Sequence, residues 1–339
     1  MLNILYIGNK QFQSRGINSV METLCHEFST FAVVRSATHK KRYIGKAFDI
    51  AFTLAKYLHR SDVVLIDVFS TKAFYFALFT AAAARLSGTK YILNLHGGSL
   101  PDRYLKSERM FTLLLKNAHA VTAPSGYLKQ YFENKGYAVR LIPNPIDISI
   151  YPKSRAHRNY PVMLYLRSFG KLYRPENIID AMVHITQKYP EAHLHMFGKD
   201  VEGRIPMCRE KIRIHKLEKN ITLHGVKLRN EWLNTAVHCN MSISVPVTDN
   251  TPVSLLESMS MNIPVITTGA GGIEYIIQDR KNGLITTGEP EDIAHKVIEL
   301  MENENLYTTI QKSAADYVMM YNMPEVIRLW KELLTNNRS

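Results

Sequence analysis

The sequence predicts an α/β protein built from two doubly wound parallel sheets in succession. Three observations carry this expectation. Short β-rich runs alternate with helical patterns along most of the chain, as a parallel sheet covered on both faces requires. The chain has 339 residues, 46% hydrophobic and 21% charged, enough to bury two cores. A polar, basic, proline-bearing segment, residues 151–160, interrupts the alternation and reads as a linker.

In the first set the expected strands are 2–7, 31–35, 63–67, 91–95, 120–123 and 140–142. In the second they are 162–166, 192–197, 221–224, 241–245, 263–267 and 284–286. This gives domains at 1–150 and 160–321, with chemistry expected at strand ends rather than strand middles. The N-terminal run MLNILYIGN has no basic region ahead of it and reads as a strand, not a signal peptide. The apolar stretch 73–84 is too short to span a bilayer and reads as a buried helix. Cys25, Cys208 and Cys239 are scattered, which fits a reducing compartment without a disulfide frame. Residues 303–334 read as helical with a break at Met323-Pro324.

The net charge of +12 is uneven. Residues 1–150 hold 19 Lys and Arg against 9 Asp and Glu, a balance of +10; residues 151–339 hold 23 against 21, a balance of +2. A basic first half implies an anionic partner for that half. The run His39-Lys40-Lys41-Arg42 precedes a helix on which Lys46, Asp49, Thr53, Lys56 and Arg60 share a face, while Phe48, Ala51, Phe52, Ala55 and Leu58 lie on others. That face reads either as the solvated side of a core helix or as a surface for anionic lipid. Neither a nucleic-acid-binding motif nor aromatic-basic interleaving accompanies the charge, so nucleic acid is not an expected partner.

The densest pattern lies between residues 241 and 276. An apolar run, Met241 to Val247, breaks at the polar turn Thr248-Asp249-Asn250. Thr251 offers an N-cap oxygen and Pro252 fits the first helical position. Val253, Leu256 and Met259 then fall on one helical face, Ser254 and Glu257 on another. A second strand ends in Gly269-Ala270-Gly271-Gly272, and Ile273 is expected to open the next helix. Two helix N-termini would thus open on one sheet edge, where anions bind.

Three more strand ends stand out. Val162–Leu166 runs into Arg167-Ser168-Phe169-Gly170-Lys171, and Tyr91–Leu95 into His96-Gly97-Gly98. The first strand is followed by Gly8 and then by Gly16 in Ser14-Arg15-Gly16-Ile17, without a full G-x-G-x-x-G, so dinucleotide binding is not supported. His193 and His195 alternate on one strand with no third ligand at suitable spacing, and read as structural.

These motifs resemble the family 4 retaining glycosyltransferases of the GT-B fold. The likeness covers almost the whole chain and is most specific in residues 160–290. The family's donor-site signature has two carboxylates eight positions apart; here they are Asp249 and Glu257, with Asp where the family usually has Glu. The resemblance implies two Rossmann-like domains facing across a cleft, the donor held mainly by the second and the acceptor by the first. It also implies a last helix, about 322–339, that crosses back to the first domain.

The same likeness implies the residue roles. Arg167 and Lys171 would hold the nucleotide diphosphate, with Arg174 as substitute because the family's Lys lies one position further on. Glu257 would bind the ribose, and Asp249 the hydroxyls of the transferred sugar. His96 would contact the sugar near the reacting centre. Gly16, Asn250, Thr251, Gly271 and Gly272 would line the donor. No metal and no cofactor are expected, since no Asp-x-Asp motif is present and cations with helix N-termini can stabilise the leaving diphosphate. The implied activity is transfer of a sugar from a nucleotide-diphosphate sugar to a saccharide or lipid-linked acceptor, with retention, in the synthesis of cell-surface polysaccharide or glycolipid such as lipopolysaccharide. The expected place is the cytoplasm, peripheral to the inner face of the membrane. Two alternatives stay open: a GT-B nucleotide-sugar epimerase, and a non-catalytic donor- or partner-binding subunit.

Overall fold

The computed structural model describes residues 1–8, 19–37 and 43–335. Gly16 and the basic run 39–42 lie outside the described residues. The chain forms two compact units: Met1–Ile146 with Tyr321–Ser339, and Asp147–Met320.

The first unit runs β1 (Leu2–Ile7), α1 (Val20–Phe28), β2 (Ala32–Ala37), α2 (Tyr43–Tyr57), β3 (Val63–Phe69), α3 (Phe74–Leu86), β4 (Lys90–His96), α4 (Leu100–Lys106), α5 (Glu108–Lys116), β5 (Ala120–Ala123), α6 (Gly126–Glu133) and β6 (Arg140–Leu141). All neighbouring strands pair in parallel, in the order β2-β1-β3-β4-β5-β6. The period of two in the strands divides the core. Leu5, Ile7, Val64 and Ile66 pack on one face with α2, α3, α5 and α6. Ile4, Tyr6, Val63 and Leu65 pack on the other with α1. Ser19 caps α1 in a capping box with Glu22.

The second unit runs β7 (Val162–Leu166), α7 (Pro175–Lys188), β8 (His193–Phe197), α8 (Arg204–Ile214), β9 (Ile221–Gly225), α9 (Arg229–Ala236), β10 (Met241–Ser244), α10 (Val253–Ser260), β11 (Val265–Thr268), β12 (Leu284–Thr286), α11 (Pro290–Glu302) and α12 (Glu304–Val318). Its sheet is again parallel, in the order β12-β11-β10-β7-β8-β9. A last helix, α13 (Met323–Thr335), returns to the first unit. There Val326, Trp330, Leu333 and Leu334 join the core beside α1, with Trp330 edge-on to Phe28 at 5.8 Å.

Some expectations change. Residues 151–160 are not a free linker. Tyr151 is buried, and the Ser154 and Arg155 amides donate to the carbonyls of Met261 and Val237, each at 2.8 Å. Those carbonyls close α10 and α9, so the polar segment satisfies helix ends that would otherwise lack partners. The break before the last helix falls at Met319–Asn322, with Pro324 inside the first turn of α13, where its missing N–H costs nothing. The helix expected over 73–84 is α3, and it is only half buried. On α2 the buried side is Ile50, Thr53 and Leu54, which leaves Phe48 and Phe52 outside.

The histidines of β8 have a third neighbour. His195 Nδ1 lies 3.1 Å from His224 Nε2, and the rings of His193 and His195 are 4.5 Å apart. Burial, and then the proximity of His193, His224 and His238, push the His195 imidazole down to about 4. The unfolded chain regains the ordinary value near 6.5, so it binds a proton that the native state refuses as pH falls from about 6.5 towards about 4. Stability from this cluster is complete above that window and is lost on acidification through it. Denaturant midpoints measured across the window should fall more steeply for the native chain than for His195→Leu; parallel curves would show that the cluster does not carry the effect.

Candidate functional site

In the second sheet the strand order reverses between β7 and β10, and the carboxyl edge at such a reversal is where open α/β sheets bind ligands. Arg167 is the residue directly after β7, and Asp249 stands in the turn after β10. Arg167 Nη2 is ion-paired with Asp249 Oδ2, and the guanidinium lies over the Tyr173 ring, 4.3 Å from its centre. Arg167 Nε is buried and has no hydrogen-bond partner among the described residues.

Asp249 is fixed from several sides. Its Oδ1 accepts from the Asn250 amide at 2.8 Å, and its carbonyl accepts from the Gly272 amide at 2.7 Å. A parallel bridge joins it to Gly271. Gly271 has φ +66°, and a Cβ there would stand 2.5 Å from the Asp249 carbonyl oxygen. A Cβ at Gly272 would stand 1.9 Å from the Asn250 carbonyl oxygen. The double glycine is therefore what lets the turns after β10 and β11 touch. On the other side, a Cβ at Gly198 would stand 1.8 Å from the Arg167 carbonyl oxygen, so the turn after β8 presses on the turn after β7.

The start of α10 and the turn after β11 differ from the sequence expectation. Thr251 does not cap α10: the N-cap is Pro252, extended at φ −69° and ψ 109°, with no side-chain cap. Thr251 Oγ1 is instead buried without a partner among the described residues, as are Ser254 Oγ in the first turn of α10 and Ser244 Oγ at the end of β10. Of the face Val253, Leu256 and Met259, the last two are buried together with Leu255, and Val253 is exposed. Ile273 opens no α-helix. Gly272–Tyr275 is a single 3-10 turn, and the Gly272 amide, expected to face an anion, donates to Asp249.

Glu257 lies in the second turn of α10 and is partly buried. Tyr151 donates its hydroxyl to Glu257 Oε1 at 2.9 Å. Burial raises the Glu257 carboxyl above its ordinary value, opposed by the Tyr151 hydrogen bond and by the charges of Arg229 and Arg167. Lys171 is exposed; its backbone amide donates to Glu202 at 2.8 Å, and its ammonium has no partner among the described residues. Arg174 is committed elsewhere, with Nε on the Val245 carbonyl at 2.9 Å in a left-handed backbone of φ 46°. Arg167, Asp249, Asn250, Thr251, Glu257, Gly271 and Gly272 thus occupy the turns after β7, β10 and β11 and the start of α10, with Lys171 in the loop after β7.

His96 belongs to the first unit, at the end of β4. Its Nε2 lies 2.9 Å from Asp67 Oδ1 and 2.8 Å from Asn94 Nδ2, and its ring stacks on Phe69 at 5.1 Å. Tyr6 donates its hydroxyl to Asp67 Oδ1 at 2.9 Å. Burial and the Asp67 charge raise the Tyr6 phenol well above its ordinary value, so it stays a donor. The first sheet reverses between β1 and β3, and Asp67 stands at that reversal with its Oδ2 2.3 Å from where a Cβ on Gly8 would lie. A cavity of about 60 Å³ opens there, lined by Gly8, Lys46, Asp67, Phe69 and Thr71 among others. Asp67, Tyr151 and Arg229 belong to no motif in the sequence. Only the strand-end position of Asp67 marked it in advance. Among the described residues no cluster of His, Cys, Asp and Glu has metal-site geometry.

The contact between the two turns gives a direct test. Gly272→Ala should lower stability by about 1–3 kcal/mol, because the new methyl meets backbone rather than a movable side chain. Chemical denaturation measures this; an unchanged midpoint would mean that the turns do not touch.

Comparison with known proteins supplies the family and the fold. The profile described as Glycosyl transferases group 1 matches residues 148–317, and that of Glycosyltransferase Family 4 matches residues 20–150. An uncharacterised glycosyltransferase of Methanocaldococcus jannaschii is 22% identical over 87% of this chain and 82% of its own length. The N-acetyl-alpha-D-glucosaminyl L-malate synthase of Bacillus anthracis is 25% identical over 46% of this chain and 40% of its own. Among solved structures, Anabaena HepE in complex with UDP superposes with a TM-score of 0.77 at 17% identity, covering 99% of this chain and 100% of that one. The apo lipopolysaccharide outer core galactosyltransferase WaaB gives 0.73 at 16% identity, covering 99% of each. The fold is that of the GT-B glycosyltransferases, and the chain belongs to the glycosyl transferases of group 1.

Proposed function

We propose that this glycosyltransferase moves a sugar from a nucleoside-diphosphate sugar to a saccharide or lipid-linked acceptor, with retention at the anomeric carbon. The observation that carries the reading is the Arg167–Asp249 pair at the β7/β10 reversal, with Arg167 Nε buried and unsatisfied. In this reading Asp249 occupies Arg167 until a diphosphate arrives. The guanidinium and the Lys171 ammonium then meet the charge that builds on the leaving group. No metal ion is assigned a role. Glu257, oriented by Tyr151, receives the ribose hydroxyls, and Thr251 and Ser254 supply buried hydroxyls beside them.

In the transfer step the bond from the anomeric carbon to the diphosphate oxygen breaks. The acceptor oxygen bonds to that carbon on the same face, and the acceptor proton passes to the departing phosphate oxygen. Asp249, released from Arg167, faces the hydroxyls of the sugar and favours positive charge developing on the ring. The first unit holds the acceptor, and His96, set by Asp67, is its candidate for the reacting centre. Gly16 remains a candidate for the donor diphosphate. The names of the similar structures, one complexed with UDP and one a lipopolysaccharide galactosyltransferase, support a uridine donor and a cell-surface glycan product. The first half's balance of +10 supports an acceptor presented at the cytoplasmic face of a membrane.

Nucleotide sugars screened for protection against thermal unfolding test the donor site. One donor should raise the midpoint of the native chain and fail to raise that of Arg167→Ala, whose turnover should drop by about 10²–10³-fold. With that donor, product should form only when acceptor is present, survive EDTA, and keep the donor's anomeric configuration by NMR. Donor conversion without acceptor would instead mark an epimerase, and protection without any turnover a binding subunit.

A further inference from the structure

Two adjacent helices of the first unit turn apolar side chains away from the core. On α2, Ile44, Phe48 and Phe52 are 74%, 73% and 66% exposed, and Ala47, Ala51 and Ala55 are exposed between them. These positions recur at helical spacing, so the outward face is apolar from Ile44 to Ala55. On α3, Tyr75 and Phe79 are each 51% exposed and Leu86 is 90% exposed. The helices pack side by side, with the Tyr43 and Phe76 ring centres 6.4 Å apart, so the two faces form one surface. An apolar surface of this extent marks an interaction site.

Its charged surroundings identify the occupant. Residues 43–60 and 71–90 hold six Lys or Arg and a single acid, Asp49. The Lys56 ammonium sits 5.8 Å over the Phe52 ring, a cation carried on the apolar face itself. A second copy would bring two basic surfaces together and repel. A surface that is apolar in the middle and anionic at its boundary is a lipid bilayer with acidic headgroups. No helix among the described residues is long and apolar enough to cross it, so the contact lies in the plane of the interface.

We propose that the α2–α3 face seats on an anionic bilayer, with Phe48, Phe52 and Phe79 entering the boundary between headgroups and acyl chains. Lys56, Arg60, Lys72 and Arg85 meet lipid phosphates around them. This deepens the reading of a membrane-presented acceptor and rests on it for its purpose. The contact itself is testable without any sugar.

The test is flotation of the full chain with vesicles of phosphatidylcholine alone and of phosphatidylcholine mixed with phosphatidylglycerol. The native chain should float with the mixed vesicles, less so in high salt, and stay down with phosphatidylcholine. The variant Phe48→Ser/Phe52→Ser/Phe79→Ser should lose about tenfold or more in partitioning. Lys56→Glu/Lys72→Glu should lose the preference for anionic vesicles. Both variants should keep donor protection against unfolding, since none of these residues belongs to the donor site. Equal flotation of native and serine variant overturns the proposal. So does a native dimer that the serine variant dissolves while vesicle binding is absent. Loss of donor protection in the native chain would count against the donor reading alone.

Discussion

The ion pair between Arg167 and Asp249 joins the two loops that diverge where the second sheet reverses its strand order. Partial burial of both groups costs solvation, and each repays it only while the other is present. Three glycines make the pairing geometrically possible. Gly198 brings the β8 turn against the Arg167 backbone, and Gly271 with Gly272 brings the β11 turn against Asp249 and Asn250. Arg174, unusual in its left-handed backbone, ties the carbonyl after β10 to the loop after β7. The turns after β7, β8, β10 and β11 are thus tied to one another around the ion pair.

The pair does not saturate the groups around it. Arg167 Nε, Thr251 Oγ1, Ser254 Oγ and Ser244 Oγ are all buried and lack partners among the described residues. Buried polar groups are nearly always satisfied, and in the proposed reading the donor's polar groups complete this set. The first sheet repeats the device in another form. At its own reversal, Asp67 takes hydrogen bonds from the Tyr6 phenol and the Asn94 amide and stands against His96. In both sheets, a carboxylate with strong partners stands where the strand order reverses.

Much of this was legible in the sequence for physical reasons. Val162–Leu166 is apolar throughout and Met241–Val247 is broken only by two small serines and a proline, as parallel strands buried on both faces require, and that continuity marked their ends. Arg167, Asp249 and the double glycine stand at such ends. Glu257 was marked by the resemblance to the family's paired-carboxylate signature. Other features left no signal. Tyr151 sits in a polar, proline-bearing segment that looks like any linker, and only tertiary contact gives its hydroxyl to Glu257. Thr251 has the right type and place to cap a helix, yet the extended backbone of Pro252 starts the helix one position later. On α2 the apolar residues cover most of the circumference, so periodicity could not tell which face is buried. Packing buries Ile50 and Leu54, and leaves Phe48 and Phe52 out.

In the proposed reading, Asp249 holds Arg167 in place of a diphosphate and yields it when the donor binds. Calorimetric titration of the donor's nucleoside diphosphate into the native chain and into Asp249→Asn tests this most directly. The expected result is equal or tighter binding to the variant, because the guanidinium is freed and a negative charge is removed, together with loss of turnover. Weaker binding to Asp249→Asn would contradict it and make the pair a structural strut.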